Sequence, residues 1–135
     1  MRIAMPLMVA GALMLSAGTA QAKTDPEARI AKITAGRVAE APVGCIQQHQ
    51  INSTEIISRT AIVYKMDNGT IYVNRPDSGA TFLSKGDILV TDTRSPQLCS
   101  VDIVRLLDSG ARMPSGSVGL GKFVPYPRTP RDASR

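Results

Sequence analysis

The sequence predicts a mainly β domain, a small antiparallel barrel or sandwich of roughly six to eight short strands, with one N-terminal helix and one disulfide. Three observations carry that prediction. Residues 60–74 form two β-branched and aromatic runs joined by Asn68-Gly69, the strongest short-range hairpin signal a chain can offer. Turn chemistry recurs about every ten residues from there to the C-terminus, which is the spacing of short strands. Two cysteines, Cys45 and Cys99, stand far apart in a chain with a leader-like start.

The start is read first because it bounds the domain. Met1-Arg2 is a short positive region, residues 3–17 are apolar, and Ala20-Gln21-Ala22 is an A-x-A cleavage pattern. Together they predict a secretory signal peptide over 1–22, with Lys23 as the new N-terminus. The rival reading is a retained anchor, but the apolar run is short against the about 20 residues a span needs. No cysteine follows the apolar run closely, so a lipid anchor is not expected, and no other stretch could span a bilayer. One β-rich domain over 23–127 and a basic tail over 128–135 remain. Their length buries a core, but a thin one.

Export and an even cysteine count predict a Cys45–Cys99 bond. The alternatives are two free thiols or a metal pair. The chain holds one histidine and no C-x-x-C, which argues against a metal, and no cofactor is expected.

Asp25-Pro26-Glu27 starts the helix: Thr24 or Asp25 caps it, Pro26 fits its first position, and Glu27 suits the positive end of the dipole. Apolar spacing carries it to about Ala35, and Gly36 stops it. Residues 45–51 and 55–58 are weaker strands. In the hairpin, a two-residue type I′ turn at Asn68-Gly69 pairs Met66 with Ile71, Lys65 with Tyr72 and Tyr64 with Val73. Ile62, Tyr64, Met66, Ile71 and Val73 then share an apolar face. Val63, Lys65, Asp67, Thr70, Tyr72 and Asn74 share a mixed one.

Residues 75–79 read as a loop and 81–83 as a short strand or bridge. Residues 88–91, Ile-Leu-Val-Thr, read as a strand covered on both faces. Residues 98–108 form the longest single strand expected, 109–117 an exposed loop, and 117–124 a last strand. In that strand Gly119 and Gly121 mark a bulge or close backbone packing. No internal repeat is visible.

At residues 36–46 (Gly36-Arg37-Val38-Ala39 through Pro42-Val43-Gly44-Cys45-Ile46) and 59–64, the chain resembles a family of small exported proteins of alphaproteobacteria. The resemblance continues through 72–76, 87–91, 97–102 and 123–126, nearly the whole of the domain. It implies an exported, two-cysteine domain, and it brings no catalytic residue, cofactor or partner with it.

Candidate chemistry is sparse. His49, the single imidazole, lies in the polar run Gln47-Gln48-His49-Gln50 and reads as a solvated surface residue. No G-x-S-x-G, P-loop or H-E-x-x-H is present. Asp87, Asp92 and Asp102 are candidates for a carboxylate pair of the kind glycoside hydrolysis needs, with turn solvation as the plainer reading. Asp102 is also placed to cap near Cys99. Gly119-x-Gly121 is a fragment of a phosphate-binding pattern without its third glycine or its helix, so packing is its expected role. Tyr72 beside Lys65 offers a small basic–aromatic surface.

Charge gives the one directional signal. Without Arg2, fifteen Lys and Arg face eleven Asp and Glu, a net +4. From residue 111 onward Arg112, Lys122, Arg128, Arg131 and Arg135 face Asp132 alone, again +4, so the body is near neutral. A positive end attracts anionic surfaces, and Lys122, Arg128, Arg131 and Arg135 are the expected anion contacts unless the tail is merely solubilising. Nucleic acid is not the expected partner, because export removes the protein from it. The function expected is a non-catalytic periplasmic or secreted module that binds an anionic surface or ligand. The alternative is a small periplasmic hydrolase that uses an aspartate pair.

Overall fold

The computed structural model describes residues 25–130. The leader and its cleavage site, Arg131 and Arg135 lie outside the described residues.

Helix α1 (Pro26–Ile33) begins as its residues dictate: Asp25 caps it by accepting the Glu27 N–H at 3.1 Å, and Pro26 takes the first position. Nine strands follow: β1 (Cys45–Gln47), β2 (Ile51–Ile57), β3 (Ala61–Met66), β4 (Ile71–Asn74), β5 (Ile88–Thr91), β6 (Gln97–Cys99), β7 (Ile103–Leu107), β8 (Pro114–Gly119) and β9 (Phe123–Tyr126). They form three antiparallel sheets in the orders β2-β3-β4-β9, β5-β7-β8 and β1-β6. The architecture is sandwich-like rather than a closed barrel.

The inner face of the four-stranded sheet supplies Ile56, Ile62, Tyr64, Met66 and Phe123 to the main core. Val104, Leu106 and Val118 meet them from the three-stranded sheet, and Ile46 and Leu98 from the β1–β6 ladder. Tyr64 and Tyr72 stand edge-on to Phe123, with centroids at 5.7 and 6.3 Å. Burial pushes the Tyr64 hydroxyl well above the ordinary phenol range. The other face of the four-stranded sheet is also apolar: Ile57, Ala61, Val63, Ile71 and Val73 are covered by Ile30 and Ile33 of α1 and by Tyr126. The molecule is thus three layers, helix on sheet on sheet.

This third layer corrects the hairpin register. The pairs are Lys65–Ile71, Tyr64–Tyr72, Val63–Val73 and Ile62–Asn74, one residue away from the type I′ expectation. The Gly69 N–H bonds to the Met66 carbonyl at 3.0 Å and the Met66 N–H to the Thr70 carbonyl at 2.9 Å. The loop therefore has three residues, Asp67-Asn68-Gly69, and only Gly69 takes positive φ, at 88°. Asn-Gly serves this turn as well as the two-residue one. The choice falls to the sheet faces, and the helix makes both of them apolar.

Other expectations shift for local reasons. Residues 98–108 divide into β6 and β7, because Asp102 turns the chain by accepting the Cys99 N–H at 2.7 Å. Residues 81–83 enter a short 3₁₀ turn, Ala80–Phe82, instead of a strand. Residues 117–124 belong to two strands, β8 and β9. β5 is an edge strand with Ile88 47% exposed, not a strand covered on both faces. Close packing at Gly121 is as expected: a Cβ there would strike the Arg75 carbonyl oxygen. Loop 75–79 lies against this turn, and Asn74, fully buried, bonds both backbone groups of Gly121. β9 carries Pro125 on a sheet edge, where proline is tolerated. Val43 bridges to Phe123 along that edge, and the Glu40 N–H donates to the Pro125 carbonyl at 2.9 Å.

Candidate functional site

A polar cleft forms where α1 crosses the end of β2. It encloses about 130 Å³, opens to solvent, and is lined by Pro26, Arg29, Glu55, Ile56, Ile57, Ser58 and Lys85. Each wall follows from the fold. Ile30 must face the sheet to cover Val63 and Ile71, which sets its neighbour Arg29 over β2. There Arg29 Nε donates to Glu55 Oε1 at 2.8 Å and Nη2 to Oε2 at 3.2 Å. Strand alternation puts Lys65, opposite Ser53 on β2, near the same carboxylate, with Nζ at 3.9 Å from Glu55 Oε2. The chain leaving Leu83 brings up Lys85, whose backbone N–H donates to Ser58 Oγ at 3.2 Å.

Three cations thus surround one carboxylate. The Arg29 hydrogen bonds hold the Glu55 carboxyl below its ordinary value of 4.5; partial burial opposes them, and the charges of Arg29, Lys65 and Lys85 add to them. The site keeps two positive charges in excess. A second ion pair fixes the same helix at its start, with Arg75 Nη1 and Nη2 on the two Glu27 oxygens at 2.7 and 2.9 Å. Past the helix, Arg37 Nη1 donates to the carbonyls of Gly69 and Tyr126 at 2.6 and 3.2 Å. Cleft geometry therefore depends on a helix held by ion pairs at two points and by a small apolar contact.

The residues singled out in the sequence are placed elsewhere. Cys45 and Cys99 are bonded, directly opposite one another in the β1–β6 ladder. Lys122 is exposed just before β9, and Arg128 follows β9 with its stem over Gly69. They stand six positions apart along the chain, roughly 20 Å if extended, so they do not form one cluster. Lys65 and Tyr72 are not a surface pair: Tyr72 faces the core against Phe123, and Lys65 faces Glu55 on the other side.

His49 is exposed in a 3₁₀ turn. Asp87 accepts from Ser115 Oγ of β8 at 3.0 Å, and Asp102 accepts the Cys99 N–H within its own turn. Among the described residues no group of three or more His, Cys, Asp and Glu is placed to hold a metal ion. No helix among them is long and apolar enough to cross a membrane.

The sequence does not single out Arg29, Glu55 and Lys85, because they come from three separate segments. Each reads there as a charge facing water, and no spacing in the chain links them. No family model, curated protein or solved structure matches this chain.

Proposed function

We propose that this protein is a non-catalytic exported module, periplasmic or secreted, that holds an anionic group of an envelope component in the cleft between α1 and β2. The observation that carries the reading is the cluster of Arg29, Lys65 and Lys85 around the single carboxylate of Glu55. An excess of positive charge gathered in one cleft attracts anions more strongly than the same charges spread over a surface. A disulfide fits an oxidising compartment, and the leader-like first 22 residues fit export. The basic tail, with Arg128, Arg131 and Arg135, adds a second electrostatic contact to the same partner. The hydrolase alternative gains nothing from Asp87 and Asp102, whose carboxylates are engaged by Ser115 and by the Cys99 N–H.

The test is co-sedimentation of the chain from Lys23 onward with phosphatidylglycerol vesicles and with lipopolysaccharide, at low and at physiological salt. Each cation near an anionic surface contributes about 1 kcal/mol. Lys65→Ala with Lys85→Ala should then weaken binding by about 2 kcal/mol, roughly 30-fold. Binding should also fall with salt, since exposed charges are screened over about 8 Å at physiological ionic strength. Equal, salt-independent binding by the wild type and the double variant would refute the cleft as the site.

A further inference from the structure

Anion sites built for phosphate use backbone N–H groups at a helix start. Here the start of α1 has little to offer: Pro26 has no N–H, and Asp25 takes that of Glu27. The cleft is instead arranged around a planar two-oxygen group. Arg29 presents its Nε and Nη2 as a fork, and both oxygens of Glu55 already occupy it. Lys65 reaches the same carboxylate from β3, and Lys85 adds its charge from the turn after the 3₁₀ segment. No other carboxylate lines the cleft. Behind the charges stand apolar groups of Pro26 and Ile57. A cleft of about 130 Å³ has room for a carboxylate with a few carbons, and its open side faces solvent.

We propose that the ligand of this cleft carries a carboxylate, and that it binds by taking the place of Glu55 on the Arg29 fork. This rests on the reading of the cleft as an anion site. Glu55 is the resident counter-ion: it keeps Arg29, Lys65 and Lys85 together and gives way to a carboxylate of the same shape. Its side chain is 23% exposed, so it can swing toward solvent without opening the core. The carbon skeleton of the ligand then rests on Pro26 and Ile57. Such a carboxylate comes from a short acyl chain or from an acidic sugar.

The experiment titrates the chain from Lys23 onward with hexanoate, galacturonate and inorganic phosphate, by calorimetry and by NMR of the Arg29 Hε and Glu55 carboxyl signals. One carboxylate should bind, and which one does identifies the acyl or the sugar source. Both signals should move together as Glu55 leaves the fork. Glu55→Gln removes the resident charge and should tighten carboxylate binding at least tenfold. Lys85→Gln, at an exposed turn, should weaken it several-fold and serves as the measurement if Glu55→Gln does not fold. Unchanged or weaker binding by a folded Glu55→Gln, or unchanged binding by Lys85→Gln, overturns the exchange. Binding of phosphate alone overturns the ligand class while leaving the cleft an anion site. No cleft signal moving with any of the three overturns the inference, whereas vesicle binding that survives Lys65→Ala with Lys85→Ala removes the underlying reading.

Discussion

Replacing Asn74 with alanine should be among the most damaging single changes in this protein. Asn74 is fully buried, and its amide closes a two-bond clasp on the turn between β8 and β9. Nδ2 donates to the Gly121 carbonyl at 2.7 Å, and Oδ1 accepts the Gly121 N–H at 3.0 Å. Gly121 is itself buried and cannot turn to water. Asn74→Ala would therefore orphan one donor and one acceptor, each at about 1–3 kcal/mol. The middle of that range is about 4 kcal/mol for the pair, before any cavity is counted. At about 4–8 °C per kcal/mol for a domain of this size class, the thermal midpoint should fall by about 15–30 °C.

Urea unfolding followed by circular dichroism measures this directly. The midpoint should move and the slope should not, because the same surface is exposed on unfolding. Asn52→Ala, at the exposed bulge of β2, is the control and should stay within about 0.5 kcal/mol of wild type. A loss below about 1 kcal/mol in Asn74→Ala would show that Gly121 finds other partners, and the clasp would not hold the turn.

Three further outcomes are expected. Gly69→Val should cost about 1–3 kcal/mol, since a β-branched residue is strained at φ 88° and must also displace the Arg128 stem; an unchanged denaturant midpoint would exclude this turn. Cys45→Ala with Cys99→Ala should lower stability by about 4 kcal/mol on the chain-entropy model for a separation of 54 residues, and alkylation of both thiols in unreduced protein would contradict the bond itself. Acid should loosen the docking of α1. Glu55 and Glu27 have depressed carboxyl pKa values because of Arg29 and Arg75, so their contribution is present above the ordinary value of 4.5 and is lost as pH falls through the lower folded values. The Glu55 part should be below about 1 kcal/mol, as for other solvent-touched pairs, and Glu55→Gln should show a shallower loss of midpoint below pH 4.5 than wild type.

The chain by itself determined what depends on near neighbours. Asp25 and Pro26 start a helix by capping and by ring geometry, and alternation of β-branched residues marks β3, β4 and β7. Gly69 must sit where φ is positive in either candidate turn, and two cysteines have only one pairing within a chain. Only the tertiary structure decided what depends on distant ones. The hairpin register moved by one residue because α1, from the far end of the chain, makes the second face of the sheet apolar. With both faces buried, the contrast between an apolar and a mixed face no longer selects a register. Asp102 ends β6 by a side-chain bond that no hydropathy pattern records. Arg29, Glu55, Lys65 and Lys85 meet for the same reason: burying Ile30 on the sheet brings together charges from four segments. A cluster assembled by packing leaves no spacing in the sequence, whereas the basic tail, contiguous in the chain, was legible at once.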